Sequence, residues 1–258
     1  MDHLNLIALK KFPLIEPGDN LNEIILKSIS DNNLLLEDGD ILIIAQKIIS
    51  KAENRYINLD DVIPSQRAID LGDELNRNPA FIQLILNESK SIISTEKNVI
   101  IVEHNLGFIH INAGIDRSNI PQDENLVLLL PIDPSSSAEI IQSFISKSLN
   151  INISVVITDS MSRPYRSGVT NFALASANIQ SLIDLKGESD IYGNTLKSTE
   201  IAIADELAAA AGLLMGQGDE LKPVILMKGF SKSSYGINDA LDLTVDEKND
   251  LYQSLIQI

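Results

Sequence analysis

The run Val155-Val156-Ile157 constrains this chain more than any other stretch. Three consecutive β-branched residues with no polar alternation suit a strand covered on both faces. Beyond it the chain changes character at once: Thr158, Asp159 and Ser160, then Arg163 and Arg166 with Pro164 stiffening the path between them. The expectation is a strand that leaves the sheet at Asp159. A carboxylate beside a hydroxyl suits a hard divalent cation, and guanidinium forks suit phosphate or carboxylate oxygens. The same residues also read as an ordinary Asx turn with surface arginines, and the stretch alone does not choose between the two.

Charge narrows the choice. Twenty basic against 36 acidic side chains leave a formal −16, the wrong sign for broad nucleic-acid binding. Any anionic substrate must therefore meet locally clustered Lys and Arg or a metal ion. With no cysteine and three histidines, thiolate chemistry is excluded and a zinc cluster disfavoured, which leaves oxygen ligands. Each histidine reads as a surface or sheet residue. No window approaches the roughly 18 apolar residues of a membrane span, and no signal pattern opens the chain, so a cytoplasmic protein is expected.

Taken in order, Leu9 to Ile15 reads as an edge-like stretch around Pro13, and Asn20 with Glu23 caps a helix to about Ser30. Ile41 to Ile44 is a buried strand, followed by a segment that, if helical, sets Lys47, Lys51 and Arg55 on one face as a candidate phosphate holder. Ser65 and Asn78-Pro79 open two further helices, and 98–103 and 107–112 pair as strands. The second strand runs into Asn112-Ala-Gly-Ile-Asp-Arg-Ser-Asn119, where Asp116 comes after a strand much as Asp159 does. Leu126 to Leu130 reads as a strand, Ser136 with Glu139 as a capping box, and the Ala-rich 172–183 as a helix. Another helix runs from Ser198 or Thr199 to Met215, a strand covers 224–228, and Thr244 with Glu247 caps a closing helix. The chain thus reads as mixed α+β. It has no P-loop, no Rossmann glycine motif and no Gly-x-Ser-x-Gly elbow.

Six blocks in order resemble the coenzyme F420-0 gamma-glutamyl ligase family: 39–53, 112–119, 128–134, 157–166, Ala204-Asp-Glu-Leu-Ala208 and Leu214-Met-Gly-Gln-Gly218. The resemblance extends from about Leu9 to Gly229. It implies one ligase domain over 1–258, built as two intertwined α/β lobes whose boundary the sequence does not mark, and an intertwined homodimer. It also implies a GTP-dependent amide ligase that adds L-glutamate through gamma linkages to a deazaflavin coenzyme precursor, by way of an acyl phosphate. Two Mg2+ or Mn2+ ions are implied, with K+ as a helper.

Carried over by motif, the metal-binding aspartates are Asp116 and Asp159, with Ser160 at a usual threonine and Gln217 at a usual metal-binding glutamate. Nucleotide contacts fall on Lys10, Lys11, Phe12, Pro13, Gln46, Lys47, Lys51 and Asn119, and on Met215, Gly216, Gln217 and Gly218. Arg163 and Arg166 are assigned to catalysis from their own chemistry, to steady a transferred phosphoryl group or an acceptor carboxylate. Ser162 and Asn178 stand where glycines are usual. The rival expectations are a metal-dependent phosphohydrolase and a nucleotide-binding relative without catalysis.

Overall fold

In the computed structural model, residues 3–230 and 237–252 are described. The first half contains β1 (Asn5–Ala8), α1 (Leu21–Asp31), β2 (Ile41–Ala45), α2 (Gln46–Ala52) and β3 (Tyr56–Asn58). Then come α3 (Gln66–Leu75), α4 (Pro79–Asn87), β4 (Ser89–Ser94), β5 (Ile101–His104), β6 (Ile109–Ile111) and β7 (Leu126–Leu128). The second half adds α5 (Pro134–Leu149), β8 (Ser154–Arg163), β9 (Arg166–Ala177), β10 (Leu182–Asp184), β11 (Glu200–Ala202), α6 (Ile203–Met215) and β12 (Val224–Lys228).

A five-stranded sheet in the order β1-β12-β2-β8-β9 forms the centre. Only β2 and β8 are parallel, with Ile41 to Ala45 in register with Ser154 to Thr158. Leu42, Ile44, Val155 and Ile157 face a core shared with Ile25, Ile141 and Ile145 of α1 and α5. Ile41, Ile43 and Val156 point the other way, against Leu207, Ala208 and Ala211 of α6. The mixed α+β expectation holds, with helices on both faces of the sheet.

A third core lies between α2 and α5 in the chain. There α3 and α4 pack Ala68, Phe81, Ile82 and Ile85 against Ile100, Val102, Val127 and Leu129. This inserted unit carries the β4-β5-β6 sheet and the β3-β7 pair.

Caps predicted from local chemistry are in place: Asn20, Ser65 and Asn78 each accept a backbone N–H of the helix they open. Four expectations need correction. The stretch 172–183 is no helix, since β9 runs to Ala177; Ala173 packs toward α6, while Ala175 and Ala177 face the core of α1 and α5. Helix α6 starts at Ile203, because 200–202 pair with β10. The cap of α5 is Asp133, with Pro134 in the first turn, and not Ser136. The predicted closing helix is a single 3-10 turn at Glu247–Asn249, and the chain beyond Tyr252 lies outside the described residues.

Candidate functional site

A cleft of about 540 Å³ opens where β2 and the buried half of β8 end. Parallel strands leave their carboxyl ends free for a ligand, and here β2 passes directly from Ala45 into α2. Asp159 is the next residue beyond the Ala45–Thr158 pair. It does not leave the sheet as expected: β8 continues to Arg163, paired with β9 throughout. A bulge on β9 breaks the register beside it, between Ile157–Ala175 and Thr158–Ala173. Bulges bend and twist a strand. The Ala173 N–H donates to Asp205 in the first turn of α6, at 2.8 Å.

Asp116 arrives from the inserted unit. Asn112, Ala113 and Gly114 all have positive φ (50°, 52° and 66°), and a Cβ on Gly114 would come within 2.9 Å of Leu130. This turn delivers Asp116 to the cleft, where its backbone is tied to Leu128 in both directions. Its Oδ2 accepts from Gln46 Nε2 at 3.0 Å and lies 3.3 Å from Lys47 Nζ.

The two aspartates therefore line one cleft, although they come from different cores. Burial, then the Asp116 charge, raise the Asp159 carboxyl to about 6, against opposing pulls from His110, a Ser160 backbone hydrogen bond and Lys47. His110 Nε2 is 3.8 Å from Asp159 Oδ2 and 3.2 Å from the Ser160 carbonyl. Crowded negative charge of this kind suits a bound cation. Among the described residues no group of three or more His, Asp or Glu side chains forms a ready metal cage. Two carboxylates, with Ser160 and Gln217 also on the cleft wall, match instead the way Mg2+ and Mn2+ keep places for water and phosphate oxygens. The donor set fits those ions.

Lys47, Lys51 and Lys222 line the same cleft, with Lys47 paired to Asp116. Lys51 donates to the Asn119 carbonyl at 2.7 Å, and Asn119 Nδ2 donates to the Gly218 carbonyl at 3.0 Å, which ties two loops across the mouth. Burial, then repulsion from Lys47, lower the Lys51 pKa, and Asp116 opposes them. Gly216, at φ 74°, has no room for a Cβ because the Glu220 carboxyl fills that space. Gln217 donates to Asn171 Oδ1 at 2.8 Å.

Of the residues nominated from sequence, Pro13, Gln46, Lys47, Lys51, Asp116, Asn119, Asp159, Ser160 and Met215 to Gly218 line the cleft. Lys10, Lys11 and Phe12 do not. The Lys10 backbone pairs with the Asn32 side chain, and Phe12 is buried in the core beneath α1. Arg163 and Arg166 sit opposite each other at the tip of the β8-β9 hairpin, roughly 13 Å along the strand from Asp159. Arg55 also turns away, to the Leu130 carbonyl and Glu88, because α2 ends at Ala52. Thr158, Asn171, Glu16, Glu220 and Lys222 line the cleft without having been singled out, and His110 backs Asp159. Isolated polar residues of this kind carry no local pattern. Asn178 does adopt the left-handed conformation a glycine would supply (φ 58°), and its side chain holds Asn152 and the Ile153 carbonyl at 2.6 Å.

A family model described as F420-0:Gamma-glutamyl ligase matches residues 10–229. A protein of Methanothermobacter thermautotrophicus named coenzyme F420:L-glutamate ligase is 39% identical over 88% of this chain and 89% of its own. Proteins of the same name from Methanocaldococcus jannaschii and Methanopyrus kandleri are 38% and 37% identical, over 95% and 89% of both chains. On a match of this extent, the chain belongs to the F420-0:gamma-glutamyl ligase family.

Proposed function

We propose that this protein is a GTP-dependent ligase that joins L-glutamate through its amine to the terminal carboxylate of coenzyme F420-0, and of F420-1, in gamma linkage. The observation that carries the reading is that Asp116 and Asp159 line one cleft together with Lys47 and Lys51 in a family member. A carboxylate is a poor electrophile until one oxygen becomes part of a leaving group. In the proposed reaction an acceptor carboxylate oxygen takes the γ-phosphoryl group of GTP and GDP departs. The glutamate nitrogen then attacks the acyl carbon, inorganic phosphate leaves, and the surplus proton of the nitrogen passes to water.

The residues have distinct parts in this scheme. Lys47 and Lys51 neutralise phosphate oxygens, while Asn119 and Met215 to Gly218 shape the nucleotide end. Asp116, Asp159, Ser160 and Gln217 would hold two Mg2+ or Mn2+ ions, whose charge supports phosphoryl transfer; K+ is proposed as an auxiliary ion. We assign the protein to the cytoplasm as a homodimer. No described helix is long and apolar enough to cross a membrane.

Incubation of the purified chain with GTP, Mg2+, L-glutamate and F420-0 tests the reading. The expected result is glutamylated product by mass spectrometry, with GDP released only when acceptor and glutamate are both present. GTP breakdown that ignores glutamate would instead mark a phosphohydrolase, and GTP binding without turnover an inactive relative. Light scattering of the same sample reads the oligomeric state.

A further inference from the structure

Asp116 is held by a hydrogen-bond chain that starts away from the cleft. Gln46 opens α2 and is 2% exposed, and Ser50, one turn later, is wholly buried and does not line the cleft. Ser50 Oγ donates to Gln46 Oε1 at 2.9 Å, and Gln46 Nε2 donates to Asp116 Oδ2 at 3.0 Å. A primary amide has one accepting and one donating end. With its oxygen engaged by Ser50, the Gln46 nitrogen faces the carboxylate. Lys47 approaches the same oxygen from a more exposed position and also donates to the Ser118 carbonyl, at 3.1 Å. Both donors take Oδ2, which leaves Oδ1 for a ligand.

We propose that Gln46, oriented by Ser50, is a positioning residue that aims the Asp116 carboxylate and so sets the affinity of the cleft for a divalent cation. The inference rests on the reading of Asp116 as a cation ligand. Residues that orient a metal ligand from behind typically contribute 10- to 100-fold in affinity, roughly the range expected here.

The test is a Mn2+ titration followed by electron paramagnetic resonance, on the full chain and on Asp116→Asn, Gln46→Leu, Ser50→Ala and the double variant Gln46→Leu/Ser50→Ala. Thermal melts confirm folding, and Gln46→Met serves if Gln46→Leu does not fold. Gln46→Leu is expected to weaken Mn2+ binding by about 10- to 100-fold. Ser50→Ala should weaken it about fivefold, the size of one neutral hydrogen bond. In the Gln46→Leu background Ser50→Ala should cost nothing further, because its effect passes through the lost amide. Excess Mn2+ should return the KM for GTP of Gln46→Leu to the wild-type value.

Undiminished Mn2+ binding by Gln46→Leu, beside a loss in Asp116→Asn, overturns the positioning role and leaves the ligand reading intact. Additive effects of the two substitutions, or a KM for GTP that stays high in excess Mn2+, overturn it as well. Wild-type binding by Asp116→Asn removes Asp116 from the site, and the inference with it.

Discussion

Asp116 and Asp159 carry the same carboxylate into the same cleft on opposite terms. Asp116 rides on a loop of the inserted unit, with a charged partner in Lys47 and a donated hydrogen bond from Gln46. Asp159 rides on a central strand, where burial and its neighbour's charge raise its pKa to about 6. One acid is thus stabilised by the protein itself. The other is held at a cost to folding that a cation would offset.

Substituting each acid by its amide should separate them most widely, by stability and activity together. Asp159→Asn should lower ligase turnover by at least about 100-fold and still raise the melting temperature without divalent ions, because it removes a crowded buried charge at nearly constant volume. Asp116→Asn should also lower turnover but give no gain in stability, since it breaks the pairing with Lys47, worth up to about 1 kcal/mol at this exposure. Paired assays and melts check both. Equal stability changes in the two variants would erase the contrast.

A smaller effect concerns pH, with divalent ions absent. Asp159 has a folded pKa of about 6, above its ordinary value of 3.8, so its contribution is full below 3.8 and is lost as pH rises through 6. His104 has the opposite sign. Burial first, then neighbouring cations, lower it from 6.5 to about 4, so its contribution is full above 6.5 and is lost as pH falls to 4. Between pH 4 and 6.5 the two slopes oppose each other in the wild type. In Asp159→Asn the opposing Asp159 slope is gone, and stability should climb with pH across that window by at most about 3 kcal/mol, less what the raised Asp205 carboxyl still opposes. Urea denaturation at a series of pH values reads the difference.

The mildest change lies at the hairpin tip. Arg166→Ala should leave Mn2+ affinity within about twofold of wild type, since the rest of β8 separates Asp159 from the turn and exposed single changes are usually mild. A tenfold loss would bring the tip into the cation site.

Much of the fold is legible because it is written locally. Asn20, Ser65 and Asn78 cap where their side chains can reach a free N–H, and Val224–Lys228 is a strand because an unbroken apolar run must be covered on both faces. The stretch 172–183 misleads because alanine favours helices in isolation, whereas here the alanines lie on a strand packed between helices on both faces of the sheet. Asp116 and Asp159 can be found because each comes after an apolar strand run. Asn171 and Lys222 on the cleft wall, and His110 behind Asp159, cannot, since distant pairing alone brings them there. Arg163 and Arg166 stand close to Asp159 in sequence, and it is the extended strand that carries them away.

The inserted unit has a core of its own, and the turn at Asn112 to Gly114 hands Asp116 from that core to the edge of the central sheet. The two acids thus become neighbours only where separately packed bodies meet. Loosening the insert alone would silence the enzyme with its main sheet still assembled, and saturating GTP with Mg2+ should slow amide hydrogen exchange on both sides of that seam together.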